Sequence, residues 1–205
     1  MAGDPGGVET KALRIRSVVV GAAISLAALL HPPGQARAQT TAEKAAICAG
    51  CHGENGVPQE KTTPIIWGQS EGYLFLQLRD YKTGARKHDI MTPLAETLER
   101  SDMLALAEYF ANKPWPDLRQ PSASKEVAER ALRANASVGC TGCHLDQWQG
   151  AGTVPRLAGL SRDYLAKTIA EFRTRARGNN PGMSDLMMVT SEEDLAALVE
   201  YLAGR

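Results

Sequence analysis

Hydrophobic residues recur every three or four positions along most of the chain, which is the spacing of one face of an α-helix. In residues 71–82, for example, Leu74, Leu78 and Tyr81 share one stripe. The same periodicity predicts further helices at residues 41–49, 101–111, 124–136, 162–175 and 191–202. No run shows the strict alternation of a half-buried β-strand, and the intervening segments contain Gly and Pro and are predicted to be loops. The pattern predicts an all-α protein.

Polar residues at the predicted helix starts support these boundaries. Thr40 or Thr41 can cap the first helix, and Ser101 and Asp102 stand at the cap and first-turn positions of the helix at 101–111. Their side-chain oxygens can accept hydrogen bonds from the free backbone N–H groups at a helix N-terminus. We therefore expect these helices to begin near those residues.

The N-terminal segment has a different pattern. Three basic residues come first: Lys11, Arg14 and Arg16. An apolar run of 14 residues follows at 17–30, and then a small-residue motif, Ala-Arg-Ala, at 36–38. The run is short for a transmembrane helix, and this order of features is typical of a secretory signal peptide. We predict that residues 1–38 are a signal peptide cleaved after Ala38 and that the mature protein is periplasmic; an uncleaved membrane anchor is the alternative.

The four cysteines form two close pairs, each followed at once by histidine. The two motifs are Cys48-Ala49-Gly50-Cys51-His52 and Cys140-Thr141-Gly142-Cys143-His144. C-x-x-C-H is the attachment signature of c-type haem. Residues three apart on a helical turn share a face, so both thiols can reach the vinyl groups of one porphyrin while the histidine binds the iron. The sequence predicts two covalently bound haem c groups, with His52 and His144 as iron ligands.

Three other uses of close cysteine pairs compete with haem attachment. A zinc ribbon brings two pairs together, but 88 residues separate Cys51 from Cys140, far beyond the usual spacing. Structural disulfides are possible in an exported protein, and a thioredoxin-like pair requires alternating strands and helices. None of the three explains why histidine follows both pairs.

The second half of the chain repeats the first. An offset of 92 residues relates Cys48 to Cys140, Met91 to Met183, and Asp102 to Asp194. Between these points the offset is 91, and the related pairs are Pro64 and Pro155, Gly68 and Gly159, Tyr73 and Tyr164, and Arg86 and Arg177. Tandem repeats of this kind predict two similar domains, at 39–116 and 125–205, joined by a linker at 117–124 within a proline-rich segment.

The repeat also selects candidates for the second axial iron ligand. Met91 follows His52 by 39 residues, and Met183 follows His144 by the same number. A thioether sulfur opposite histidine raises the haem potential and suits electron transfer. His88, the only other histidine beyond residue 38, is the rival to Met91. Met187 and Met188 are the alternatives to Met183, but neither lies at the 92-residue offset from Met91.

Composition and charge narrow the function further. Only 5% of the residues are aromatic, so large core side chains are scarce and a cofactor could supply apolar bulk. The formal net charge of the whole chain is zero, and removal of residues 1–38 leaves about −2. This balance gives no support for binding to nucleic acid.

These residues resemble the class I cytochromes c, and their tandem arrangement is similar to the diheme cytochrome c4 type. The resemblance covers nearly all of the chain after residue 38. It rests on CAGCHGENG after a short helix, PRLAG followed by DYL, a methionine-bearing loop in each half, and a final helix ending in EYF or EYL.

The resemblance implies roles for further residues. In such proteins the two domains face each other across a pseudo-twofold axis, with the haem propionates near the interface. The backbone carbonyls of Pro64 and Pro155 would accept a hydrogen bond from the iron-binding histidines. The residues that could bind propionates are Arg86, Arg177, Tyr73 and Tyr164; a solvated arginine and a packed tyrosine are the alternatives.

The function implied is electron transfer without catalysis, so no catalytic residue is predicted. Partners would be redox proteins, such as a dehydrogenase, a cytochrome bc-type complex or a terminal oxidase, and a peripheral position at the membrane is compatible with this role. One rival is a diheme enzyme, either a peroxidase or a thiosulfate-oxidising cytochrome, which needs an open iron position. Another is a cytochrome subunit bound tightly in a dehydrogenase or oxidase complex.

Overall fold

The computed structural model describes residues 1–3, 6–7 and 39–205. The apolar run at 17–30 and the expected cleavage site after Ala38 lie outside the described residues. Among the helices that are described, none combines the length and the apolar character needed to cross a bilayer.

Residues 39–205 are helical, as the hydrophobic pattern predicted. Four helices form in the first half: α1 (Thr41–His52), α2 (Glu71–Lys82), α3 (Met91–Glu96) and α4 (Arg100–Ala111). Five follow in the second half: α5 (Lys125–Val138), α6 (Thr141–His144), α7 (Arg162–Arg173), α8 (Pro181–Val189) and α9 (Glu192–Ala203). The only β-pairing within 39–205 is an isolated bridge between Ala151 and Val154.

Two segments that were predicted to be loops are helices. Met91 is the first residue of α3, and Met183 lies in the first turn of α8. The prolines that suggested loops, Pro93 and Pro181, stand in the first turns, where a missing N–H breaks no intrahelical hydrogen bond. The side chain of Asn180 caps α8 by accepting a hydrogen bond from the N–H of Met183 at 3.1 Å.

The helix caps agree with the sequence at one position and differ at another. Thr40 caps α1 and forms a reciprocal pair of hydrogen bonds with Glu43. The cap of α4 is Glu99, two residues before Ser101, so the expected cap at Ser101 was wrong, whereas Asp102 lies in the first turn as expected. The reason is that the carboxylate of Asp102 accepts a hydrogen bond from the N–H of Glu99 at 3.2 Å, which extends the helix toward the N-terminus.

Each half has its own hydrophobic cluster with the same helix pairing, and Ile65 of the first half is buried in the cluster of the second. In the first half α1 packs on α4 and α2 packs on α3 and α4; in the second half α5 packs on α9 and α7 packs on α8 and α9. An ion pair joins the crossing helices in each half, and the repeat-equivalent aspartates accept it: Lys44 pairs with Asp102 at 2.6 Å and Arg130 with Asp194 at 2.7 Å. The sequence repeat is thus a repeat of packing as well.

The segment between the halves is held in place by the second half. The side-chain amide of Gln120 donates to the carbonyls of Leu160 and Ala203, each at 3.0 Å, and its oxygen accepts from the N–H of Arg162 at 2.9 Å. Just before the linker, the ring of Trp115 stacks under the guanidinium of Arg156 at 4.4 Å. These contacts fix the linker against the folded chain.

Helix α2 and the side chain of Gln69, which lies just before it, contact the backbone of the loop at 150–156. Gln69 exchanges two hydrogen bonds with the backbone of Arg156, at 3.0 and 2.7 Å. The N–H of Tyr73 donates to the carbonyl of Gly152 at 3.1 Å. Gly72 makes this approach possible, because a Cβ atom there would lie 2.8 Å from the oxygen of Gly152.

We expect Gly72→Ala to destabilise the protein by about 1–3 kcal/mol, because backbone atoms at the contact have to move apart. Urea denaturation of the purified protein, followed by circular dichroism, measures the change. The control is Gly178→Ala, whose Cβ would meet only the oxygen of Arg175 at 3.7 Å. Equal stability of the two variants would show that α2 does not approach the loop this closely.

Candidate haem-binding sites

The first cavity opens beside the C-terminal end of α1 and has a volume of about 270 Å³. Cys48, Cys51 and His52 all line it. His52 is buried, and its Nδ1 lies 2.8 Å from the carbonyl oxygen of Pro64. Because a carbonyl can only accept, Nδ1 carries the proton and donates it, which leaves Nε2 with a free lone pair for a metal.

The second cavity repeats this arrangement with a volume of about 680 Å³. Cys140, Cys143 and His144 line it, and His144 is buried with Nδ1 3.0 Å from the carbonyl oxygen of Pro155. Burial lowers the pKa of both His52 and His144 from the ordinary value, although the bond to the proline carbonyl opposes the shift. Both imidazoles are therefore held in the neutral form that binds iron.

The cysteines have the character of attachment points and not of redox-active thiols. No disulfide joins the four cysteines, and the two pairs line different cavities, so they cannot share one zinc ion. Burial raises the pKa of Cys48 to about 11 and also raises the pKa of Cys140. A reactive thioredoxin-like cysteine has the opposite shift.

The structure brings a methionine into each cavity. Met91 lines the first cavity and Met183 the second, and both side chains are half-buried. Met187 also lines the second cavity but belongs to the hydrophobic cluster of that half. Met188 is 49% exposed and its sulfur accepts a hydrogen bond from Arg175 at 3.4 Å, so it lies away from the cavity.

His88 stands at the edge of the first cavity and is exposed. Its Nδ1 accepts hydrogen bonds from the backbone N–H groups of Ile90 and Met91, at 3.2 and 3.4 Å. These bonds stabilise the start of α3, which is the helix that carries Met91. His88 thus has a structural role beside the methionine.

Both candidate propionate-binding arginines are buried, so the alternative of solvated side chains was wrong. Arg86 is 8% exposed and lines the first cavity; Arg177 is 4% exposed and lines the second. Among the described residues no carboxylate lies within salt-bridge distance of either guanidinium. A buried cation without a counter-ion is unstable, so each site is suited to a ligand that brings its own anion.

Tyr73 and Tyr164 each line both cavities. The hydroxyl of Tyr73 accepts a hydrogen bond from Arg177 of the other half at 3.1 Å. Burial opposes ionisation of Tyr164, but the nearby positive charges of Arg86 and Arg177 lower the pKa of Tyr164 below its ordinary value. The two arginines therefore create a region of positive electrostatic potential where the two cavities approach each other.

The fit to haem can be judged from these features together. Each cavity has apolar walls, two thiols and a neutral histidine at one side, a methionine in its lining, and a buried cation without a protein anion. Haem c is a flat apolar group with two carboxylates, and it needs this set of partners. The residues present fit the group.

Three residues near both cavities were missed by sequence reasoning: Gln77, Asp80 and Asn179. Gln77 lines both cavities, while Asp80 and Asn179 line the second one from opposite halves. No signal in the sequence identified them, because amides and isolated carboxylates match no motif and Gln77 has Thr168 as its repeat equivalent. Lys167 of the second half was also missed, and it lines the first cavity.

Comparison with known proteins gives a consistent result. The family model of cytochrome c matches residues 125–205. Cytochrome c4 of Azotobacter vinelandii is 32% identical over 199 residues, which cover 88% of this chain and 94% of that protein. A thiosulfate dehydrogenase electron acceptor of Stutzerimonas stutzeri strain A1501 is 32% identical over 171 residues, covering 78% and 79% of the two chains.

A solved structure shows the same fold. Reduced cytochrome c4 from Pseudomonas stutzeri superposes with a TM-score of 0.70 at 28% identity, covering 80% of this chain and 96% of that one. The all-α architecture is therefore that of class I cytochromes c, and such proteins carry covalent haem c and act as electron carriers, not as enzymes. The chain belongs to the cytochrome c4 family of electron-transfer proteins.

Proposed function

We propose that the chain carries two haem c groups, one in each cavity, and relays electrons between redox proteins of the periplasm. The observation that most strongly supports this proposal is that the same site occurs in both halves. In each half a C-x-x-C-H segment lines a cavity, and its buried histidine donates Nδ1–H to a proline carbonyl. Thioether bonds would form at Cys48, Cys51, Cys140 and Cys143. The two haem-binding domains would be residues 39–116 and 125–205, with the linker at 117–124.

The proposed axial ligands are His52 with Met91 and His144 with Met183. Met183 is preferred over Met187 because it keeps the 92-residue register with Met91 and lies half-buried at the edge of the hydrophobic cluster, while Met187 is buried within it. The haem supplies the iron that changes oxidation state, and the chain sets its surroundings.

The protein's own residues would perform three tasks. The carbonyls of Pro64 and Pro155 fix the orientation and tautomer of each histidine ring. Arg86 and Arg177, with Tyr73 and Tyr164, provide positive charge and hydrogen bonds for the propionates. The apolar walls would exclude water, so a charge on a bound iron would act in a medium of low dielectric constant.

The location and the partners follow from the N-terminal pattern and from the relatives. A signal peptide at 1–38 would export the chain to the periplasm, where c-type cytochromes meet their donors and acceptors. The donor would be a dehydrogenase or a quinol-oxidising complex, and the acceptor a terminal oxidase or reductase. The similarity to a thiosulfate dehydrogenase electron acceptor favours a thiosulfate dehydrogenase as one candidate donor.

We expect the purified exported protein to contain two haems per chain, and the double variant Cys140→Ser/Cys143→Ser to contain one. The variant removes both attachment points of the second cavity and leaves the first cavity unchanged. A pyridine haemochrome assay, normalised to protein mass, gives the ratio. The reciprocal variant Cys48→Ser/Cys51→Ser serves as the matched control and should also retain one haem. Colourless wild-type protein would refute the proposal.

Met183→Leu should remove the methionine ligand from one of the two haem irons. Leucine keeps the apolar volume of the side chain but has no donor atom. The weak long-wavelength absorption of ferric haem bound to methionine should fall to about half, and the reduced protein should bind carbon monoxide at one haem. Met188→Leu is the control and should change neither signal, since Met188 lies outside the cavity. Loss of the absorption in Met187→Leu, and not in Met183→Leu, would reassign the ligand.

The mature protein should begin at Gln39, since the small residues at 36 and 38 mark the cleavage site. N-terminal sequencing of the periplasmic fraction tests this. A protein recovered only from the membrane with residues 17–30 intact would show that the segment is an anchor.

A further inference from the structure

One side chain forms hydrogen bonds to both buried arginines. Gln77, on α2, lines both cavities. Its Oε1 accepts a hydrogen bond from Arg86 at 2.9 Å and another from Arg177 at 2.9 Å. The first arginine belongs to the first half and the second to the other half. A single amide oxygen thus joins guanidinium groups that line different cavities.

The position of the Gln77 amide is fixed by a second set of contacts. Its oxygen accepts a third hydrogen bond, from the amide of Asn179 at 3.1 Å. Asn179 also donates to the carboxylate of Asp80 at 2.7 Å and accepts from Nε of Arg177 at 3.1 Å. Asp80 is buried and is held in turn by Arg79. Hydrogen bonds that involve charged groups are stronger than neutral ones, so this network is rigid.

The pair of hydrogen bonds from the two arginines to Gln77 has no counterpart at the equivalent position of the second half, although the halves are repeats. The residue equivalent to Gln77 in the second half is Thr168, at the 91-residue offset. The hydroxyl oxygen of Thr168 is buried and has no hydrogen-bond partner in the described part of the chain. Repeat packing therefore does not require a polar bridge at this position, which indicates that Gln77 serves the contact between the halves.

A neutral amide suits the position better than a charged group. Two like charges that approach in a buried region repel each other, and the partial negative charge of the amide oxygen offsets part of this repulsion. A carboxylate would do so more strongly, but it would also compete with the anion that each arginine is placed to bind. Glutamine lets both arginines keep their positive charge for a ligand.

We propose that Gln77 is a positioning residue that couples the two haem sites. It holds both guanidinium groups through one oxygen, so a shift of either arginine changes the hydrogen bonding of the other. A change of charge at one site is thereby transmitted to the electron affinity of the second. This inference rests on the proposed assignment of Arg86 and Arg177 to the haem propionates.

The test is a redox titration of the full-length mature holoprotein in which each haem is followed by its own NMR signals. The quantity measured is the factor by which reduction of one haem changes the electron affinity of the other. We expect this factor to be about 5 or more in the wild type. It should fall by half or more in Gln77→Leu, and the midpoint potentials of both haems should change together.

Two variants accompany Gln77→Leu. Thr168→Val, at the repeat-equivalent position, changes a residue that lines only the second cavity, so it should leave the coupling factor unchanged and should not shift the two potentials together. Gln77→Glu keeps an acceptor for all three donors and adds negative charge, so it should retain the coupling and lower the electron affinity of both haems. This variant decides the question if Gln77→Leu does not assemble with haem.

Three results would overturn the role of Gln77: an unchanged coupling factor in Gln77→Leu, a change at only one haem in either Gln77 variant, or an equal effect of Thr168→Val. Wild-type protein with fewer than two haems would instead refute the proposed function. The two failures are therefore distinguishable.

Discussion

The fold depends on one constraint: each half surrounds a cavity where a small helical protein would normally place the centre of its core. Helices α1, α2 and α4 pack on one another and also border the first cavity, while α7 and α9 do the same around the second, with α5 packed on α9. With 5% aromatic residues the chain has few side chains large enough to fill it. A segment of about 80 residues is marginally stable without a staple, and a covalently attached apolar group would provide one in each half.

The contact between the halves creates sites that neither half has alone. Tyr73 and Tyr164 each line both cavities, and Gln77 is bonded to an arginine from each side. The two sites are nevertheless unequal, because the second cavity receives Asp80 and Leu76 from α2 while the first receives Lys167 from α7. A duplicated sequence has thus become an asymmetric pair, and different electron affinities at the two sites are the physical expectation.

Much of this arrangement could be predicted from the sequence. The C-x-x-C-H motifs identified the histidines and thiols, and the 92-residue register singled out Met91 and Met183, which line the two cavities. The bounds of α2 were predicted correctly because its apolar stripe is regular. Helices α3 and α8 were missed, since Pro93 and Pro181 resemble loop signals unless the first turn of the helix is already known. The burial of Arg86 and the bridge at Gln77 could not be predicted, because both depend on side chains brought together from the two halves.

The packed linker has a consequence for the speed of electron movement through the molecule. Gln120 and Trp115 hold the linker and the residues before it against the second half, and Gln69 and Tyr73 form hydrogen bonds across the contact. These contacts fix the orientation of one half relative to the other. In the proposed two-haem protein the distance for internal tunnelling is then constant. In proteins that reorient their domains between donor and acceptor, higher solvent viscosity slows electron transfer. Here viscosity would lower only the rate of encounter with partner proteins and not the rate of electron transfer between the two haems.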